Sequence, residues 1–159
     1  MYLLDANVFI EAKNRYYAFD IAPGFWEWLA QAVTEGKVQS VEAVHQEVLG
    51  RSDELVPWIT ANRSMFKNVD DPTVEVLREL SLWATREYSF AASREFIGST
   101  ADYFLVGYAC AHGLTLVTHE KPSKGSMKKI KIPDACAEFD VPVISTFEML
   151  RSEGVQLRY

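Results

Sequence analysis

Four carboxylates in this sequence stand where their types and spacing could do chemistry: Asp5, Glu47, Asp102 and Glu120. Asp5 ends the apolar run Tyr2-Leu3-Leu4 and is followed two positions on by Asn7. An unpaired charge in a buried strand is costly, so a carboxylate there is expected to have a use. Glu120 falls two residues after Thr118, beyond the apolar run Leu114–Thr118, and Asp102 opens the segment that leads into that run. Taken singly, three of the four have plainer readings. Asp102 complements a helix dipole as a first-turn acid, Glu47 is a solvated helical residue, and Glu120 is a surface loop residue. Taken together they point elsewhere. Carboxylates gathered in one place repel and raise one another's pKa values, so a cluster of them calls for a hard cation. Oxygen-only ligands select Mg²⁺ or Mn²⁺ over Zn²⁺. The reaction such a site serves is phosphodiester hydrolysis, in which the ion acidifies a water and stabilises the departing oxygen without a side-chain nucleophile.

The elements that must position these residues alternate. Residues 2–6 read as a short strand of the kind buried on both faces of a parallel sheet, and its place at the head of the chain puts it in the middle of that sheet. Residues 22–36 carry Phe25, Trp26, Leu29, Ala32 and Val33 at helical spacing, with Gly36 in a C-cap context. Lys37–Ser40 reads as a second strand and Val41–Leu49 as a helix bearing Glu47, with Ser40 as its N-cap. Residues 53–68 are expected to be helical in part, disturbed by Pro57. From Thr73, the spacing of Val76, Leu77, Leu80, Trp83 and Ala84 predicts another amphipathic helix. Residues 100–112 form a mostly buried helix closed by Gly113. Strands at Leu114–Thr118 and Val141–Ile144, and short helices at Pro133–Phe139 and Thr146–Ser152, complete the pattern. Short apolar strands with helical crossovers imply an α/β fold with a parallel sheet flanked by helices. In such sheets, ligands gather beyond the C-terminal ends of the strands.

The 159 residues amount to one domain, 1–159. With 48 % hydrophobic and 24 % charged residues, disordered and fibrous classes are excluded. No targeting segment is visible and no apolar run is long enough to cross a bilayer, so the expectation is a cytoplasmic protein without a membrane. Cys110 and Cys136 are read as reduced, packed thiols. The net charge of −6 lacks the basic footprint of a nucleic-acid binder. Part of that charge belongs to the acidic cluster itself, which bound cations offset. The positive charge is uneven, with Lys121, Lys124, Lys128, Lys129 and Lys131 inside eleven residues. By itself such a run is a solvated loop. His45, His112 and His119 form no metal-ligand pattern. The aromatic segment Tyr16, Tyr17 and Phe19 is expected to pack in the core, with base stacking or a partner contact as the alternative.

The motifs resemble those of the PIN domains. Leu4-Asp5-Ala6-Asn7-Val8-Phe9-Ile10 looks like their opening motif, a hydrophobic strand ending in Asp, a small residue, then Asn, Ser or Thr. Val44-His45-Gln46-Glu47-Val48 looks like the second, a helical Glu among apolar residues. Ser99-Thr100-Ala101-Asp102-Tyr103-Phe104 and the apolar residues after it look like the third. Leu116-Val117-Thr118-His119-Glu120 resembles the fourth, where the strand ends in Thr-x-Asp. The order and spacing match across essentially the whole chain. The resemblance implies a three-layer α/β/α sandwich with a central, mainly parallel sheet of four to five short strands. It implies Mg²⁺ or Mn²⁺ held by Asp5, Glu47 and Asp102, with Glu120 completing the acidic pocket and Asn7 and Thr118 orienting ligands or water behind it. It implies an endoribonuclease, commonly the toxin of a toxin–antitoxin pair, with a cognate antitoxin protein and homodimers as partners. One departure stands out, since most of the family has Asp where this chain has Glu120. Its extra methylene leaves three roles open: direct coordination, coordination through water, or positioning of substrate. In this setting the lysine-rich loop after Glu120 gains a purpose, and Lys124, Lys128 and Lys129 become candidates for RNA phosphate contacts.

Two other readings compete. A catalytically silent PIN-like binding module would arise by loss of carboxylates, and all four positions here remain acidic. A haloacid-dehalogenase-like phosphatase also places an Asp after its first strand, but needs a second Asp where this chain has Asn7.

Overall fold

A computed structural model describes residues 1–51, 54–123, 125 and 128–158, leaving out the side chain of Ser99. Five short strands build its centre: β1 (Tyr2–Leu4), β2 (Val38–Val41), β3 (Phe66–Lys67), β4 (Thr115–Val117) and β5 (Val143–Ile144). They pair in the order β3-β2-β1-β4-β5, every pair parallel. The first strand is therefore central, as expected. Successive strand residues point to opposite faces, yet Leu3 and Leu4, and likewise Leu116 and Val117, are all fully buried. Both faces of the sheet are thus covered by helices, which is the three-layer PIN-like α/β/α arrangement.

Nine α-helices lie among the described residues: α1 (Ala6–Glu11), α2 (Pro23–Thr34), α3 (Glu42–Leu49), α4 (Val56–Ala61), α5 (Asp71–Glu87), α6 (Phe90–Ser99), α7 (Asp102–His112), α8 (Ile132–Glu138) and α9 (Thr146–Ser152). Helix α5 buries Leu77, Leu80, Trp83 and Ala84, the stripe its periodicity predicts, and starts where the Asp70 side chain accepts from the Thr73 N–H at 3.1 Å. Helix α7 is closed by Gly113 in the left-handed conformation, at φ 65°. It packs directly on α5. A Cβ at Gly107 would overlap the Leu77 side chain, and the Tyr103 hydroxyl donates to the Leu77 carbonyl at 2.7 Å. That close approach fixes the end of α7 that carries Asp102.

Several expectations are revised. Residues 6–16, given no element of their own by the sequence pattern, form α1 and then a π-helical turn over Ala12–Tyr16, closed by the Tyr17 N–H donating to the Ala12 carbonyl at 2.7 Å. Residues 66–67 leave the helical segment and add β3 to the sheet edge; two residues are too few for any periodicity to declare. Helix α6, capped by Ser89 accepting from the Ala92 N–H at 3.2 Å, was not anticipated. Ser40 does not cap α3. It is fully buried and donates to the Leu4 carbonyl at 2.7 Å, satisfying an acceptor at the end of β1.

Candidate functional site

The strand order reverses direction between β1 and β4. The chain leaves β1 for β2 and β3 on one side, then returns to β4 and β5 on the other. Such a reversal opens a crevice beyond the C-terminal strand ends. Leu4 pairs with Val117 as the last rung of the β1–β4 ladder, so Asp5 and Thr118 emerge side by side into that crevice. Asp5 is 3 % exposed, and Thr118 donates its hydroxyl to the Asp5 carboxylate at 2.9 Å. The same hydroxyl accepts from the Glu120 N–H at 3.1 Å. One threonine thereby aims the carboxylate of one strand and the backbone of the turn that follows the other. Asp5 also begins α1 with extended backbone, and its carboxylate accepts from the Ala6 N–H rather than capping the turn further on.

Electrostatics join the other carboxylates to this pair. Burial pushes the Asp5 carboxyl up to about 7; the Thr118 hydrogen bond opposes that rise, while the charges of Glu120 and Glu47 add to it. Burial likewise pushes Asp102 up to about 8, reinforced by Glu120, Asp5 and Glu47 and opposed by Lys129. The four acids found in the sequence thus lie within electrostatic reach of one another, although they come from four separate segments. Their surroundings differ. Glu47 pairs with Arg51 one helical turn on, at 3.4 Å. Glu120 accepts from the Ile132 N–H at 3.0 Å, so it caps the start of α8. Asp134 lies inside the first turn of that helix and accepts from the Ser123 N–H at 3.0 Å.

Among the described residues, no three His, Cys, Asp or Glu side chains form a ready-made set of metal ligands. The donor chemistry nevertheless fits a hard cation. Asp5 and Asp102, buried and partly buried, have their ionisation opposed by Glu120 and Glu47, with Asp5 adding to the effect at Asp102, and every donor is oxygen. Mg²⁺ keeps several waters and takes only one or two carboxylates from a protein, so a loosely spaced acidic group suits it better than a closed cage would. Cys136 offers no alternative chemistry, since burial pushes its thiol up to about 12 and leaves it protonated.

Beside the acids lies an open cleft of about 830 Å³. Asn7, Thr118 and Glu120 line it, together with residues the sequence reading did not single out: Glu11, Arg15 and Phe147. Asn7, Glu11 and Arg15 recur every four residues, which is a helical face. Seeing residues 6–16 as helix would have exposed that pattern. Lys129 sits with Asp102 and Thr100 around a smaller hollow, and Lys128 is exposed at the loop surface. Lys124 lies outside the described residues. His119, next to Glu120, contacts the Thr146 hydroxyl at 3.2 Å, and burial holds its imidazole below the ordinary value. Among the described residues, no helix is long and apolar enough to cross a membrane.

The arrangement is similar to the crystal structure of FitAcB from Neisseria gonorrhoeae, with a TM-score of 0.55 at 20 % identity, covering 91 % of this chain and 96 % of that one. At that identity the likeness speaks for the fold alone. No curated protein matches the sequence. Residues 2–157 match the family described as "Domain of unknown function (DUF4411)". The acids, the crevice and the strands that carry them all lie inside that span, and the chain belongs to the DUF4411 family.

Proposed function

We propose that this chain is a metal-dependent endoribonuclease that hydrolyses RNA phosphodiester bonds, and that it is the toxin of a toxin–antitoxin pair. The observation that carries the reading is Asp5, buried at the β1–β4 reversal, held by Thr118, with its ionisation opposed by Glu120 and Glu47. The four PIN-like motifs supply those residues in the order and spacing the resemblance requires. Asp5, Glu47, Asp102 and Glu120 are the residues that would hold Mg²⁺ or Mn²⁺, and the bound ion would acidify a water at neutral pH. Thr118 fixes the orientation of Asp5, and Asn7 presents an amide to the cleft beside it. Glu120 accepts from the Ile132 N–H with one oxygen, and the other would meet water or the ion. Lys124, Lys128 and Lys129 are assigned to the phosphates of the RNA strand, contacts that carry affinity without sequence information. The toxin assignment rests on the family resemblance and brings with it an antitoxin protein over the acidic crevice and a homodimer.

A catalytically silent binding module is the second reading, favoured by the lack of a preformed metal-ligand trio among the described residues. Cleavage of labelled RNA and DNA with Mg²⁺, Mn²⁺ or excess EDTA, beside Asp5→Asn, separates the two. Metal-dependent RNA cleavage that disappears in the variant supports the nuclease. Mn²⁺ binding with no cleavage of any substrate supports the silent module.

A further inference from the structure

The aromatic segment after the first motif divides in two. Tyr17 stacks on Phe25 with ring centroids 4.4 Å apart, and Phe19 stacks on Trp26 at 4.2 Å, so both join the core side of α2. Tyr16 goes the other way. It is 46 % exposed and lines the acidic cleft. The π-helical turn Ala12–Tyr16 is the reason, because its additional residue per turn re-aims the side chains that follow. Two further rings meet Tyr16 there. His119 lies nearly parallel to it, at 6.0 Å and 16°, and Phe147 meets it edge to face, at 5.5 Å and 82°. Phe147 is itself 38 % exposed. His119 is tied to α9 through Thr146, so the cluster is fixed from three separate segments.

A hydrophobic ring left half in water is costly, and this one stands on a pocket wall continuous with Asn7, Thr118 and Glu120. The cations Arg15 and Lys121 share the cleft, as do the acids Glu11 and Glu148; Arg15 pairs with Glu11 at 3.1 Å. A nucleotide strand matches this distribution. Its phosphates suit the cations and the ion-loaded acids, and its bases suit the rings. Bases inside a duplex are already stacked on one another and offer no free face, whereas unpaired bases stack readily on aromatic side chains.

We infer that Tyr16, His119 and Phe147 form a base-stacking subsite on the wall of this cleft, with Tyr16 the ring that receives an unpaired base of the RNA strand. The inference rests on the nuclease reading and adds to it a stacking subsite with Tyr16 as its central residue.

The test uses the full chain. A fluorescent single-stranded oligoribonucleotide and the same strand in a duplex are titrated with the Asp5→Asn protein, with and without Tyr16→Ala, Tyr16→Trp or Phe147→Ala. Cleavage of both substrates is followed in the Asp5-containing counterparts. Tyr16→Ala is expected to weaken single-strand binding on the order of 10-fold and to leave duplex binding and Tm unchanged. Tyr16→Trp is expected to restore binding, with its indole fluorescence quenched by the single strand. Phe147→Ala is expected to act in the same direction and more weakly. Equal losses on single strand and duplex, or no loss, in a chain that still cleaves RNA overturn the subsite and leave the nuclease reading intact. A chain with Asp5 that neither binds nor cleaves RNA with any metal overturns both.

Discussion

The floor and the rim of the acidic crevice hold the same chemical group in opposite circumstances. On the floor, Asp5 and Asp102 are shielded from water and pushed up to about 7 and about 8. The Thr118 hydroxyl and the Ala6 N–H steady Asp5, and Lys129, from the far loop, opposes the rise at Asp102. On the rim, Glu47 has Arg51 beside it and Glu120 has a backbone N–H of α8. Each acid thus has a partner in the protein; what sets the floor apart is burial, which opposes ionisation at Asp5 and Asp102. The difference teaches that the two pairs are not interchangeable: burial sets the floor acids apart, while the rim acids are also tied to the fold through Arg51 and Ile132.

Substitutions can break that contrast. The largest effect is expected on the floor, where Asp5→Asn or Asp102→Asn should lower RNA cleavage by more than about 1,000-fold while leaving the chain folded, measured as kcat/KM on a labelled RNA. On the rim, Glu47→Gln and Glu120→Gln should cost less, roughly 10- to 100-fold; rim losses equal to floor losses would erase the distinction. Thr118→Val removes the hydroxyl that aims Asp5 and should fall in the same range, with weaker Mn²⁺ binding as the accompanying readout.

A pH titration of stability sharpens the comparison further. Between the ordinary carboxyl value of 3.8 and about 7 to 8, the folded metal-free chain binds more protons than the unfolded one at Asp5 and Asp102. Stability in EDTA should therefore fall as pH rises through that window. Thermal unfolding from pH 5 to 9 should show it, Asp5→Asn should reduce it and leave the part due to Asp102, and Mn²⁺ should raise Tm at pH 8 but not at pH 5. A flat profile in EDTA would mean that the floor acids are ordinary. The smallest effect on chemistry is expected away from the crevice. Gly107→Ala pushes α7 off Leu77 of α5 and should lower stability by about 1 to 3 kcal/mol, read by chemical denaturation, with cleavage reduced only as far as Asp102 is displaced.

Much of the molecule was legible before any coordinates. Four of the five strands and the helices carrying Glu47 and Asp102 follow from apolar runs and helical spacing, because burial imposes those periods on the sequence. Asp5 announced itself as a charge at the end of a buried strand. The misses have local causes. β3 is too short to show a period, α6 presents a mixed face, and the helix after Asp5 hid behind an apolar run that reads equally well as strand. Ser40 looked like a helix cap because capping residues are recognised by type and position, whereas its actual partner, Leu4, comes from elsewhere in the chain.

The sequence by itself determined the α/β class, the central first strand and the identity of the four acids, since each is written in composition and spacing along one short segment. Only the tertiary structure decided the strand order that sets β1 beside β4. It alone joined Thr118 to Asp5 across 113 positions, shared the rim acids with Arg51 and Ile132, and turned Tyr16 to the cleft while Tyr17 went to the core. Those outcomes depend on which distant segments pack together, and no local pattern carries that information.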